Sequence, residues 1–299
     1  MPEEVTFLPS SEILSFEEIE RITRLMVQLG IDRVRLTGGE PLVRRELWRL
    51  VGLLKSIDGL DDLAITTNGI LLEQHAAKLK DAGLDRLNIS LDTVDRERFK
   101  ELTRRDELDR ALAGIAAAQR VGFTKIRINA VSIAGMTESD ILPLARFCRQ
   151  QQLELRFIEF MPLDGDQDWR GGKVLEGRQI RAMIEAEIGN LEPVINSYKA
   201  QPAKDYAYVD GKGSIGFIDP VSAPFCGDCD RLRLTAEGKL RNCLFSSEEW
   251  DLRETIRASL DEQQLEDVIR ECVAAKKAGH GIDSSEFQRP QRAMYQIGG

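Results

Sequence analysis

The N-terminal half of the chain alternates short runs rich in β-branched residues with amphipathic helical segments, and this alternation constrains the fold most. Ser15 and Glu18 form a capping box at the start of the first helix, and Gly30 ends that helix. Five predicted strands follow, separated by helices: RVRLTGG, LAITTNG, RLNISLD, KIRINAVSI and LELRFIEFMP. Short strands joined by helices favour parallel pairing through right-handed crossovers. We therefore predict an α/β fold built on a barrel or an open parallel sheet.

Polar and glycine residues follow these strands at their carboxyl ends, where parallel sheets bind ligands. The positions are Thr37 to Glu40, Thr66 to Gly69, Ser90 to Asp92, and Met161 with Pro162. In RLTGGEPL, Gly38 and Gly39 would let the backbone approach a ligand while Glu40 accepts from a cationic group, with Arg35 on the strand before it. Alone, the segment is more typical of a strand end, a glycine turn and a proline at the first helical position than of a ligand site.

The pattern changes after Met161. DYAYVDGKGSIGFID and RLRLTAEGKLRNCLF each predict a hairpin, and SLDEQQLEDVIRECVAAKKAG predicts one long helix before an irregular tail. We therefore divide the chain into residues 1–162, a partial βα barrel, and residues 163–299, a C-terminal α+β region.

Three of the five cysteines, Cys226, Cys229 and Cys243, form a C-x₂-C-x₁₃-C pattern. One interpretation is a zinc clasp whose fourth ligand is His75 or His280; the other is a metal or iron–sulfur centre with one position left open for a small molecule. The spacing leaves both open. Arg231 and Arg233, at alternate positions, favour an anionic ligand beside this centre. The other two cysteines, Cys148 and Cys272, fall in helical patterns and are expected to be buried structural residues.

Composition excludes several classes of function. A net charge of −9 argues against a general nucleic-acid surface, and no apolar run is long enough to span a bilayer. An odd cysteine count without a signal-like N-terminus argues against a disulfide framework. We expect a cytoplasmic protein that binds neither nucleic acid nor membrane.

Six segments in order, RLTGGEPLVR, TTNG, LNISLD, RFIEFMP, FCGDCDRLRLTAEGKLRNCLF and a terminal GG, resemble the GTP 3',8-cyclases, molybdenum cofactor biosynthesis protein A, of the radical S-adenosylmethionine superfamily. The resemblance runs essentially from Met1 to Gly299, and the three-cysteine segment is its most specific part. It implies an incomplete TIM-like barrel, here without its first strand, and a C-terminal extension carrying a four-iron, four-sulfur cluster.

The resemblance also implies the site residues. Cys226, Cys229 and Cys243 would hold the C-terminal cluster, whose unligated iron faces guanine. GTP would be contacted by Arg35, Thr66, Arg127, Arg231, Leu232 and Arg233. S-adenosylmethionine would be contacted by Gly38, Gly39, Glu40, Ser90 and Met161. The terminal Gly298 and Gly299 would reach into the active site and, with Arg231 and Arg233, serve catalysis.

In the family, a first cluster reduces S-adenosylmethionine to methionine and a 5'-deoxyadenosyl radical, which removes the C3' hydrogen of GTP so that C3' attacks C8 of guanine. This lyase reaction is the first step of molybdenum cofactor biosynthesis. The product, (8S)-3',8-cyclo-7,8-dihydroguanosine 5'-triphosphate, passes to cyclic pyranopterin monophosphate synthase. The sequence leaves the assembly open, with a homodimer as one candidate.

The match fails at one motif. The first cluster needs C-x₃-C-x₂-C, and no cysteine precedes Cys148. In the family the last cysteine of that motif is followed by Met-Pro-Glu, with which this sequence begins, so we expect the chain as given to be inactive and the native protein to be an ordinary GTP 3',8-cyclase whose motif precedes Met1. The alternative is that the cell makes this shorter chain, a non-catalytic protein that binds one cluster and GTP. Asp230 also stands where the family usually has asparagine, and Arg127 where lysine is common.

Overall fold

A computed structural model of the chain describes residues 8–163, 173–195, 198, 200–258, 261–282, 287, 290 and 292–298. The helices within these ranges are α1 (Phe16–Gln28), α2 (Leu47–Lys55), α3 (Leu72–Asp81), α4 (Arg96–Thr103), α5 (Leu108–Arg120), α6 (Glu138–Gln150), α7 (Gly177–Glu187), α8 (Leu252–Ala258), α9 (Glu262–Ala274) and α10 (Met294–Ile297). The strands are β1 (Arg33–Leu36), β2 (Asp62–Thr67), β3 (Arg86–Ser90), β4 (Ile126–Ser132), β5 (Glu154–Glu159), β6 (Leu191–Pro193), β7 (Lys204–Tyr208), β8 (Ser214–Ile218), β9 (Arg233–Leu234), β10 (Lys239–Arg241) and β11 (Trp250–Asp251).

The main sheet has eight strands in the order β1-β2-β3-β4-β5-β8-β7-β6. Strands β1 to β5 and β8 run parallel, and β7 and β6 are antiparallel additions. The predicted α/β fold with five parallel strands is confirmed. Among the described residues β1 and β6 lie at opposite edges of the sheet, so the barrel is open.

The two faces of the sheet differ sharply in polarity. Apolar side chains at alternate positions, such as Leu87 and Ile89 of β3, pack under the helices in one large core. The intervening positions of the same strand are Arg86, Asn88 and Ser90, which face the other way. The inner face of the open barrel is therefore polar and rich in arginine.

A second hydrophobic core joins the N-terminal helix α1 to the C-terminal extension. Ile22 and Leu25 of α1, with Leu14 before it, pack against Leu240 of β10 and Ile269 of α9. The three-stranded sheet β11-β10-β9 lies in this core, and its β9–β10 hairpin is the one predicted from the sequence. Helix α1 thus contacts both the barrel and the C-terminal extension.

Some local predictions were wrong. Helix α9 begins at Glu262 and ends at Ala274, which is shorter than predicted, and the tail is not wholly irregular because it contains α10. Helix α8 and the short strands β6 and β11 were not predicted. Within the described part of the chain, no helix is both long and apolar enough to cross a membrane.

Candidate functional site

Four arginines lie on the inner face of the sheet, on strands β1, β3, β4 and β5: Arg35, Arg86, Arg127 and Arg156. Arg35 and Arg86 both align with Ala64 of β2, and Arg156 aligns with Asn129, two residues beyond Arg127. They form a positively charged layer across the open barrel.

Three of these arginines have acidic partners on nearby strands of the same sheet. Arg86 pairs with Asp62 at 2.5 Å, Arg127 with Glu154 at 2.6 Å and Arg156 with Asp205 at 3.2 Å. From the sequence, Arg127 could equally be a ligand contact inside the barrel or a solvated surface charge. In the structure it lies on the inner face of the barrel and is paired with Glu154. These pairs neutralise much of the layer before any ligand arrives.

Arg35 differs, because among the described residues it has no hydrogen-bond or ion-pair partner. Arg35 is exposed to solvent at the open side of the barrel, although many protein atoms lie near its guanidinium. Burial, followed by the positive charges of Arg86, Arg233, Arg127 and Arg231, lowers the pKa of Arg35 to about 9. An unpaired guanidinium among other guanidinium groups is a site where an anion would be stabilised.

The cysteine segment brings two more arginines to this layer. Burial and the neighbouring charge of Arg231 lower the pKa of Arg233 to about 10, and its guanidinium donates to the Gly298 carbonyl. Arg231 lies 3.5 Å from Cys229 Sγ and stacks over Phe225. The sequence predicted Arg231 and Arg233 on one strand. This prediction was wrong, because strand β9 begins at Arg233 and Arg231 precedes it. Leu232 between them packs against the second core.

The thiols of Cys226, Cys229 and Cys243 are all half-buried and free, whereas Cys148 and Cys272 are buried as predicted. Burial alone would raise the pKa of Cys229, but the backbone hydrogen bond and charge of Arg231 outweigh it and lower that pKa. Since a thiolate is the form that binds metal, this donor set suits a cluster ligand.

No three His, Cys, Asp or Glu side chains of the described residues are grouped so that they could hold a metal ion. Thiolates around one zinc ion lie at about 2.3 Å from it and hence close to one another. A four-iron cluster takes each thiolate on a different iron and accepts a wider spacing. Of the two candidate zinc ligands, His75 lies within α3, and His280 forms hydrogen bonds with the Pro220 carbonyl at 2.9 Å and the Ile282 amide at 3.1 Å.

Glu40 joins the ends of β1 and β2. Its carboxylate accepts from the Leu42 amide at 3.0 Å, the Thr67 hydroxyl at 2.8 Å and the Asn68 amide at 2.8 Å. Burial nevertheless raises its pKa. The sequence predicted a cationic ligand group as the partner of Glu40. In the structure its carboxylate already accepts three hydrogen bonds from the protein, and these hold the glycine turn in place.

The other predicted S-adenosylmethionine positions lie along the same edge of the sheet. Gly38, at φ +151°, and the exposed Gly39 follow β1, while Ser90 is exposed at the end of β3. Met161 is half-buried just after β5. Their contact with S-adenosylmethionine stays a prediction.

The C-terminal tail returns to this edge. Met294 donates its amide to the Leu163 carbonyl at 3.1 Å, and Gly298 lies so close to β1 that an added Cβ would be 2.9 Å from Thr37. The tail thus lies between the end of β1 and Arg233. Gly299 falls outside the described residues.

The carboxylate of Asp230 has a hydrogen-bond partner near the arginines. Its carboxylate accepts from the Tyr198 hydroxyl, and the guanidinium of Arg33 stacks at 3.9 Å over the Tyr198 ring. This contact, unforeseen from the sequence, connects the cysteine loop to β1 across the open side of the barrel.

Within the part of the chain that the structure describes, two cavities lie beside the sheet. One of about 290 Å³ is lined by Arg127, Arg156 and Asp205 and continues the arginine layer. The other, about 790 Å³, lies at the opposite ends of the strands, between α6, α7 and the β7–β8 turn, where Arg149 is paired with Asp210. Of the predicted site residues, Arg127 lines the smaller cavity and none lines the larger one.

Two family models match the chain, the Radical SAM superfamily over residues 3–148 and Molybdenum Cofactor Synthesis C over residues 153–282. A GTP 3',8-cyclase of Rhodopirellula baltica is 48% identical over 303 residues, covering 100% of this chain and 84% of the relative. The chain belongs to the GTP 3',8-cyclase family. The cyclase of Pelotomaculum thermopropionicum is 41% identical over 300 residues, covering 100% of this chain and 92% of that protein.

Solved structures support the fold of this GTP 3',8-cyclase family member. Streptococcus suis SuiB bound to its precursor peptide SuiA matches with a TM-score of 0.50 and 23% identity, over 58% of this chain and 39% of SuiB. At that identity the likeness establishes the radical SAM barrel architecture alone.

Sequence reasoning missed several inner-face residues of this family member, namely Arg86, Asn88, Asn129 and Arg156. A signal was present, because parallel strands covered on both faces are usually apolar throughout, whereas RLNIS alternates polar with apolar. That alternation indicates a polar interior.

Proposed function

We propose that this chain binds GTP for 3',8-cyclisation, the first step of molybdenum cofactor biosynthesis, with the triphosphate on the inner arginine layer. The single observation that carries the proposal is Arg35, an arginine on the open side of the barrel that has no partner among the described residues and faces the positive charges of Arg86, Arg233, Arg127 and Arg231. A bound polyanion would remove that repulsion and form charge-assisted hydrogen bonds.

The residue roles follow the site's layout. Arg35, Thr66, Arg127, Arg231, Leu232 and Arg233 contact GTP, and Gly38, Gly39, Glu40, Ser90 and Met161 contact S-adenosylmethionine. Cys226, Cys229 and Cys243 would hold a four-iron, four-sulfur cluster, which would supply iron as a Lewis acid for the guanine base. Gly298 closes the site from the tail, and Gly298 and Gly299 serve catalysis together with Arg231 and Arg233.

The residues of this chain act mainly by positioning. Arginines at one end of the substrate and the cysteine loop at the other would hold GTP across the open barrel, so that ribose C3' and guanine C8 of one molecule stay close. Arg127 meets the ligand with one guanidinium edge already committed to Glu154. Arg35, uncommitted, supplies the larger gain on binding.

The radical-generating cluster needs three further cysteine ligands, and the 299 residues hold no C-x₃-C-x₂-C motif. We infer that the chain by itself binds GTP and one cluster but does not cleave S-adenosylmethionine. Hand-off of the product to cyclic pyranopterin monophosphate synthase, assembly as a homodimer, a cytoplasmic location and a boundary between functional regions at residue 162 are further parts of this proposal.

Calorimetric titration with GTP, GDP and guanosine tests the proposal. We expect the affinity for GTP to exceed that for guanosine, and Arg35→Gln to weaken GTP binding by about 10- to 100-fold, because a charge-assisted contact is lost. The control Arg24→Gln removes the same charge from an exposed position on α1. Equal affinities for GTP and guanosine, or equal effects of both variants, would contradict the proposal.

A further inference from the structure

Among the described residues, five buried side-chain polar atoms lack a hydrogen-bond partner, and three of them lie together on the inner face of the sheet. They are Thr66 Oγ1, Asn88 Nδ2 and Asn129 Oδ1, on the adjacent strands β2, β3 and β4. Buried polar atoms are nearly always hydrogen-bonded, so three such atoms on one face indicate a partner that the protein does not itself provide.

The strand register places Thr66 beside Asn88, and Asn129 lies two residues further toward the carboxyl ends of the strands, where it is aligned with Ser90. Asn88 itself is only 1% exposed, whereas Ser90 is exposed. The three residues therefore form a band at the boundary between the buried interior and the open mouth.

The band lies next to the arginine layer. Asn88 follows Arg86 by two residues, a rise of about 7 Å toward the carboxyl end of the strand, and it is aligned with Arg127 of β4. A ligand whose phosphates meet Arg35 would place its next chemical group at the height of this band.

The chemistry of the band is neutral. A primary amide offers a donor and an acceptor, and a threonine hydroxyl does the same, so together they match groups that both donate and accept. Phosphate oxygens only accept, and they are served by the arginines. Hydroxyl groups fit the band better, and in a nucleoside triphosphate the ribose hydroxyls come next after the phosphates.

We propose that Asn88 and Asn129, with Thr66, form a band that hydrogen-bonds the ribose hydroxyls of the bound nucleotide and so selects ribonucleotides over deoxyribonucleotides. This inference rests on the proposed function, since it requires GTP to bind at the arginine layer. Asn88 and Asn129 are positioning residues, which orient the ribose without taking part in bond changes.

The same band lowers the stability of the free protein. An unpartnered buried amide has lost its hydration without compensation, so replacing Asn88 by an apolar residue of similar size removes that penalty. Asn88→Leu is therefore expected to raise the Tm of the ligand-free chain by a few degrees. An amide with a structural role would give a lower Tm instead.

The experiment compares GTP, 2'-deoxy-GTP and 3'-deoxy-GTP binding to the anaerobically reconstituted chain by calorimetry. We expect the wild type to prefer GTP over each deoxy analogue by about 10-fold or more, since a site that pairs a hydroxyl rejects its absence. Asn88→Leu is expected to weaken GTP binding by about 10-fold and to abolish the preference. Thr66→Val is a second, near-isosteric variant with the same expected direction.

Asn190→Leu is the matched control, because Asn190 is exposed at the turn between α7 and β6. GTP binding with an unchanged preference in Asn88→Leu and Thr66→Val would overturn this inference while leaving the proposed function intact. A wild-type chain that does not bind GTP would overturn the proposed function and this inference with it.

Discussion

Arg35 and Asp92 are two side chains near the site whose charged forms the protein environment disfavours. Asp92 follows β3, and its carboxylate accepts from the Val131 amide of β4 at 2.8 Å. Burial raises the pKa of Asp92 from 3.8 to about 6, the hydrogen bond from Val131 lowers it in part, and the negative charge of Asp140 raises it further. Arg98, at 3.2 Å from Asp140, moderates that charge.

Asp92 predicts a pH dependence of stability. Its folded pKa lies above its unfolded value, so the folded state binds more protons between about pH 4 and pH 6, and this contribution to stability is lost as pH rises through 6. Asp92→Asn keeps an acceptor for Val131 without the titration. Relative to the variant, the wild type is expected to lose about 1 to 3 kcal/mol between pH 4 and pH 7 in urea unfolding. Parallel pH profiles would refute the assignment.

At the residue level, sequence motifs could propose candidate residues but could not give side-chain orientation. Arg35, Arg127 and the three cysteines were proposed from their segments, and their ligand roles stay predictions. The pairing of Arg127 with Glu154 and the contact of Asp230 with Tyr198 were not proposed, because both depend on strand register or on a loop crossing the barrel. Asn88 was missed because a strand's periodicity does not say which face is the barrel interior.

The C-terminal tail is the element whose position depends most on one residue. Gly298 adopts φ +84°, and a Cβ there would approach Thr37 Cγ2 to 2.9 Å. The Gly298 carbonyl also accepts from Arg233. A glycine is thus required both for the backbone conformation and for the close approach of the tail to β1.

Gly298→Ala is expected to release the tail. The left-handed conformation costs a non-glycine residue about 1 to 2 kcal/mol, to which the contact with Thr37 adds. Hydrogen exchange of Met294 to Ile297 should therefore accelerate. Gly279→Ala is the control, because a Cβ there meets nothing within 4 Å. Unchanged exchange in Gly298→Ala, or equal acceleration in the control, would argue against this role of the tail.

At the element level, the five parallel strands and their helices were predictable because each is long enough to show a period. Strands β6 and β11 span three and two residues, too few for any alternation to show. Helix α9 ends at Ala274, before the two lysines that the predicted helix included. The antiparallel β7–β8 hairpin was predicted from the sequence. The parallel pairing of its strand β8 with β5 was not, since pairing between strands far apart in sequence leaves no local signal.

Across the whole molecule, α1 ties the C-terminal extension to the barrel. Ile22 is completely buried in the second core, and Glu18 at the start of α1 pairs with Arg257 of α8 at 2.6 Å. Arg257 also donates to the Ser11 carbonyl at 2.6 Å. The arginines of the cysteine segment therefore keep their place beside the barrel partly through this helix.

Ile22→Ala is expected to lower the free energy of unfolding by about 2 to 5 kcal/mol, because it leaves a cavity between α1 and the extension. Urea unfolding measures the loss, and GTP affinity should fall with it as Arg231 and Arg233 become less well positioned. Val43→Ala, at a side chain 61% exposed, is the control and should change stability by less than about 0.5 kcal/mol. Similar losses in the two variants would contradict the joint core.

The central claim is that one chain places a cluster held by Cys226, Cys229 and Cys243 beside the GTP site. The electron paramagnetic resonance spectrum of the reduced, anaerobically reconstituted chain, recorded with and without GTP, tests it most directly. The account predicts a signal from a cluster of about four irons per chain. This signal should shift on addition of GTP but not on addition of inorganic triphosphate. A chain that takes up zinc alone, or a cluster signal unchanged at saturating GTP, would contradict it.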